Sequence, residues 1–140
     1  MISHVADTHA VLWYFYDDQR LSEQGRMLMD DAATSGSGIG VSAIPFSETV
    51  YLIEKGKISQ MEAFDDLTLA IADPDIPFFE VPVDSKIVSV MRKVSRESVR
   101  DPWDRMIAAT AIALDVPLIT KDEKLHNLTK SGFSKLITIW

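Results

Sequence analysis

Two periods of hydrophobic spacing alternate along the chain. Residues 2–6, Ile-Ser-His-Val-Ala, predict a short strand, with polar Asp7-Thr8-His9 at its end. Residues 10–16 then predict a short apolar helix rich in aromatics. Ser22, followed by Glu23 and Gln24, opens a second helix running to about Ala33, and 34–38 reads as a turn. Ile39-Gly40-Val41 predicts a buried strand. Ser42 caps a helix with apolar positions at Ile44, Phe46, Val50, Tyr51 and Ile53, ending near Gly56. Ser59-Gln60-Met61-Glu62 has the form of a capping box before a helix through Phe64, Leu67, Leu69 and Ile71. Phe78 to Val81 predicts a third strand, and Asp84 opens a helix through Ile87, Val90 and Met91. The main helix begins at Asp101 and ends near Leu114, with Met106, Ile107, Ala109, Thr110 and Ala113 as its inward face. Residues 116–120 predict a fourth strand, a short helix starts at 121–123, and 136–139 predicts a last strand.

Strands alternating with helices argue for a largely parallel sheet covered on both faces. The expected fold class is α/β, a single domain over residues 1–140. In such sheets ligands bind outside the carboxyl ends of the strands, where strand order switches. That rule directs attention to the acids. Asp7 ends the first strand, and Asp122 lies just past the fourth. Asp101 and Asp104 open the main helix, and Glu48 sits inside the helix after the second strand. Each acid also has a structural reading. Asp7 and Asp122 fit as caps of the helices that follow. Asp101 is an excellent N-cap with Pro102 at the first helical position, and Asp104 suits the positive end of the helix dipole. Only their shared edge of the sheet argues for chemistry.

Composition sharpens that chemistry. The chain has no cysteine, which excludes disulfides, thiol catalysis and cysteine zinc sites. His4, His9 and His126 have no metal-binding spacing. An oxygen-only donor set suits Mg²⁺ or Mn²⁺ rather than zinc. The net charge is −7, from 21 acidic and 14 basic residues. That opposes bulk nucleic-acid affinity but not a local basic edge. Arg100 and Arg105 flank the main-helix acids and Lys121 adjoins Asp122, so these three are candidate phosphate contacts. The N-terminus has neither the basic region nor the apolar core of a signal peptide, and no apolar run reaches the ~20 residues of a membrane span. A cytoplasmic protein is expected.

Four segments together resemble PIN-domain ribonucleases, above all the VapC type of toxin from prokaryotic toxin–antitoxin pairs. They are Val5-Ala6-Asp7-Thr8-His9, Val41-Ser42-Ala43-Ile44 leading to Ser47-Glu48, Asp101-Pro102-Trp103-Asp104 with its apolar continuation to Ala111, and Leu118-Ile119-Thr120-Lys121-Asp122. The resemblance implies a three-layer α/β/α sandwich with about five parallel strands. It implies a metal-dependent endoribonuclease, with Asp7, Glu48, Asp104 and Asp122 as the catalytic, metal-holding acids. Asp122 falls where the family often has Asn or another polar residue, so its role is softer. Thr8 and Thr120 match small hydroxyl residues beside the acids, and Asp101 is a cap first and an auxiliary ligand second. The implied partners are an RNA substrate, a cognate antitoxin and a second copy of the chain. The rival expectation is a PIN-like module that binds RNA or protein without cutting.

Overall fold

A computed structural model describes residues 1–130 and 135–140. Five parallel strands form its sheet: β1 (Ile2–Ala6), β2 (Gly38–Ser42), β3 (Phe78–Val81), β4 (Leu118–Ile119) and β5 (Thr138–Ile139). Their order is β3-β2-β1-β4-β5. The chain moves outward from β1 to β3, then crosses back to place β4 on the other side of β1. The switch in strand order therefore lies between β1 and β4, where the general rule for open α/β sheets puts the ligand. The helices are α1 (Thr8–Phe15), α2 (Glu23–Ser35), α3 (Ile44–Glu54), α4 (Ala63–Ala72), α5 (Ser85–Met91), α6 (Pro102–Leu114) and α7 (Glu123–Lys130).

Strand periodicity divides the core into two layers. Ala6, Ile39, Val41, Phe78 and Ile119 point to one face, against Ala10, Val11, Met29 and Leu67 of α1, α2 and α4. Val5 and Leu118 point to the other, against Ile107, Ala108 and Ala111 of α6 and Leu125 and Leu128 of α7. Neighbouring residues of one strand thus serve opposite layers, the period-two signature of a sheet buried on both sides. The expected three-layer α/β/α sandwich is what the chain forms. Among the described residues, no helix is long and apolar enough to cross a membrane.

Several expected elements differ in detail. Thr34 and Ser35 complete the last turn of α2 instead of opening a turn, and Gly36 ends the helix with φ +75°. That left-handed conformation is cheap only for glycine. The capping box does not form: α4 starts at Ala63 behind Glu62, with no side-chain cap, and the Ser59 hydroxyl turns to Gln60. β4 and β5 have shrunk to two residues each, because each pairs over only two positions. On α6, Ala113 is exposed while the five residues 107–111 are all buried. α6 is wedged between the sheet and α5, so its buried surface is wider near its middle than one stripe. On α3, Val50 and Tyr51 are exposed, not core.

Candidate active site

Local folding rules deliver the acids one by one. Asp7 leaves β1 in extended conformation, and its Oδ1 accepts the Ala10 N–H at 2.9 Å as the N-cap of α1. Its other oxygen, Oδ2, accepts the Thr120 hydroxyl from the end of β4. Thr120 is fully buried, and its oxygen in turn accepts the Asp122 N–H at 3.0 Å. Asp122 folds over the start of α7, where Oδ1 accepts the Lys124 N–H at 2.8 Å. On α3, Glu48 is held from across the cleft: the buried Thr8 hydroxyl donates to its Oε1 at 3.0 Å. Asp101 caps α6 by accepting the Trp103 and Asp104 N–H groups at 2.8 and 3.4 Å. That cap sets Asp104 in the first helical turn, facing the other acids.

Asp7, Thr8, Glu48, Asp101, Asp104, Lys121 and Asp122 all line one cavity of about 780 Å³ at the carboxyl edge of the sheet. Thr120 lies directly beneath, bonded to Asp7. The two arginines are not brought to the cavity wall. The Arg105 guanidinium donates to the carbonyls of Val94 and Met91 at 3.1 and 3.2 Å, tying α6 to the segment after α5. Arg100 borders a separate shallow depression with Arg96 and Glu97.

The electrostatics record crowding. Burial pushes Glu48 up to about 7, helped by the charges of Asp101 and Asp7 and opposed by the Thr8 hydrogen bond. Burial also pushes Asp104 up to about 7, with Asp122, Asp101, Glu48 and Asp7 all adding to it. Asp7 is raised mainly by burial; the hydrogen bonds from Thr120 and Ala10 and the nearby His9 pull it down, and Asp122 pushes it up. Carboxylates in mutual reach disfavour each other's ionised form unless a cation joins them. Among the described residues no three acids or histidines already stand drawn together as one ligand set. The donors are all hard oxygens, with no sulfur and no paired imidazoles, and this chemistry fits Mg²⁺ or Mn²⁺.

The cavity wall holds more than the acids and their partners. Trp13, Trp140 and His126 line the same cavity. His126 Nε2 donates to the Thr120 carbonyl at 2.6 Å, and its Nδ1 accepts the Thr138 hydroxyl at 2.8 Å. The one available signal was its position four residues after Asp122, which places both on one helix face. Trp140 follows β5, and only the pairing of β5 with β4 brings it to the site.

Comparison with known proteins agrees with this fold. The family model described as PIN domain matches residues 5–131. A curated relative, ribonuclease VapC22 of Mycobacterium tuberculosis, is 26% identical over 148 residues, covering 100% of both chains. Among solved structures, VapBC2 from Rickettsia felis bound to a promoter DNA fragment superposes with a TM-score of 0.69 at 17% identity, covering 99% of this chain and 98% of the other. A toxin–antitoxin complex from Klebsiella pneumoniae gives 0.65 at 18% identity, covering 97% of each chain. DNA-bound VapBC from Salmonella typhimurium gives 0.64 at 16%, covering 99% and 98%. The matched span runs from β1 into the residues just after α7 and takes in every acid of the cavity: the chain belongs to the PIN domain family.

Proposed function

We propose that this chain is a metal-dependent endoribonuclease that hydrolyses RNA phosphodiester bonds and serves as the toxin of a toxin–antitoxin pair. One observation carries the nuclease reading: Asp7, Glu48, Asp104 and Asp122, from four separate segments, face one cavity at the strand-order switch. Asp7 and Asp104 would hold Mg²⁺ or Mn²⁺ directly, with Glu48 and Asp122 acting through water or at a second ion. When bound, such an ion lowers the pKa of water and stabilises charge on the leaving oxygen.

The chain's own residues do the positioning. Thr120 and Ala10 fix both oxygens of Asp7, so its carboxylate cannot swing. Thr8 fixes Glu48, and the Asp101 cap fixes the start of α6 that carries Asp104. Without an ion, burial and crowding raise Glu48 and Asp104 to about 7, and a bound cation would return both to the ionised form. Lys121, exposed beside Asp122, is the phosphate contact within the cavity wall. Arg100 would contact phosphate only further along a bound strand.

The toxin reading is supported by the kinship with VapC22 and by the toxin–antitoxin complexes that share the fold. Exposed Val50, Tyr51, Phe64 and Leu69 on α3 and α4 offer an apolar surface for an antitoxin segment. A homodimer and a cytoplasmic location belong to the same reading.

The decisive test is cleavage of RNA by the purified chain with Mg²⁺, with EDTA, and by Asp104→Asn. Cleavage that needs the ion and falls at least about 100-fold in Asp104→Asn is expected. An Asp104→Asn protein as active as wild type overturns the site. The toxin role is read separately, as growth arrest on expression that a neighbouring gene's product relieves.

A further inference from the structure

Beside the acids, the cavity is lined by aromatic residues and by Lys121. Trp13 projects from α1 one turn beyond His9, and the two rings lie 5.3 Å apart at 46°. The Trp140 ring meets Trp13 edge-on at 5.8 Å. Two cations lie over Trp13: the Arg20 guanidinium at 5.0 Å from the ring centroid and the Lys121 ammonium at 5.7 Å. Trp13 and Trp140 also touch the core, which explains their apolar character. Core packing does not explain why both line the cavity, nor why the exposed Lys121 lies over one of them; Arg20 stands outside the cavity wall, its guanidinium paired with the Asp18 carboxylate at 2.7 Å.

We propose that this part of the wall is a nucleobase subsite: a base next to the cleaved phosphodiester stacks on the Trp13–Trp140 pair, while Lys121 holds a flanking phosphate. Single-stranded nucleic acid is gripped elsewhere by this combination of aromatic platform and positive rim. A base reaches the platform only if it is out of a duplex stack, so the subsite selects unpaired RNA. It also answers the −7 net charge, because stacking and the local Lys121 cation supply affinity that the bulk charge opposes. The subsite rests on the nuclease reading for the neighbouring phosphodiester, but its own test is binding.

Tryptophan fluorescence reads it directly. Trp103 lies against Tyr51, away from this wall, so Trp103→Phe leaves Trp13 and Trp140 as the only reporters. On an Asp104→Asn background, a single-stranded oligoadenylate should quench that emission. A perfectly paired RNA duplex of equal length should not, and AMP should do so only at much higher concentration. Trp140→Ala should weaken oligoadenylate binding by about 10-fold, and Lys121→Gln should weaken it and flatten its salt dependence. Oligoadenylate binding without quenching, equal quenching by duplex, or unchanged affinity in Trp140→Ala each overturns the subsite. Cleavage by wild type that Asp104→Asn abolishes, with any of those results, would leave the nuclease standing without the subsite. Quenching with no cleavage by wild type would leave the subsite without the nuclease.

Discussion

Thr120 donates its hydroxyl hydrogen to Oδ2 of Asp7 across 113 positions of sequence. The bond joins the ends of β4 and β1, the two strands that flank the switch in strand order. It also opposes the burial that raises Asp7, favouring the ionised form a metal ligand needs. Thr120→Val keeps the shape and removes the donor. Loss of such an orienting partner typically costs about 10–100-fold in metal affinity or activity. We expect a fall of that order, with Thr120→Ser restoring most of it, measured as cleavage rate against Mg²⁺ concentration. A Thr120→Val enzyme with an unchanged Mg²⁺ dependence would show that the bond is only structural.

Asp104 should trade stability for function. Without a cation its charge is opposed by burial and by four neighbouring acids. Asp104→Asn removes the charge and keeps the size. The expected outcome is lost cleavage together with a higher melting temperature in EDTA. A lower melting temperature would mean that the carboxylate stabilises the empty fold, against the crowding described above.

Asp101 has a capping role that can be separated from its charge. Asn caps helices as well as Asp, whereas Ala does not. Asp101→Ala should therefore cost about 1 kcal/mol of stability, and Asp101→Asn much less. If Asp101→Asn keeps its stability but binds Mg²⁺ more weakly, the residue contributes charge to the site as well. If both substitutions leave stability unchanged, the two hydrogen bonds to Trp103 and Asp104 have no energetic weight.

Stability should depend on pH with the sign opposite to that of ordinary carboxylates. Glu48 and Asp104 have folded-state values of about 7, raised from 4.5 and 3.8. Well below about pH 4 both are protonated, folded or unfolded, and cost nothing. Between about 4 and 7 the unfolded chain ionises more readily, so stability is lost as pH rises through that window. In EDTA the melting temperature should fall from pH 5 to pH 8, as far as these two groups govern it. Mg²⁺ should raise the melting temperature more at pH 8 than at pH 5, because binding releases their protons. Equal Mg²⁺ shifts at both pH values would contradict the raised acids.

Much of this arrangement was legible in the sequence, for physical reasons. Hydrophobic period gave the five strands, and caps such as Ser22 and Asp101 marked helix starts correctly. Asp7, Asp104 and Asp122 could be grouped because strand ends and helix starts can share an edge in a parallel sheet, and Glu48 because it lies inside a helix that begins at that edge. Strand order was not legible, since nothing in a two-residue strand such as β5 says which neighbour it pairs with. Trp140 and the aromatic wall depended on that pairing. The engagement of Arg105 with two backbone carbonyls was hidden too, because a side chain's partners depend on how the α5–α6 segment folds back. The exposure of Val50, Tyr51 and Leu69 ran against their hydrophobicity, which cannot tell a core from a surface awaiting a partner.

The central place of β1 has a consequence for the order of synthesis. Asp7 is made 113 residues before its partner Thr120, and its neighbour Asp122 follows later still. A growing chain therefore carries the acid long before it can carry the cluster. Whatever nucleolytic power the acids hold together is withheld until β4 emerges and slots in beside β1.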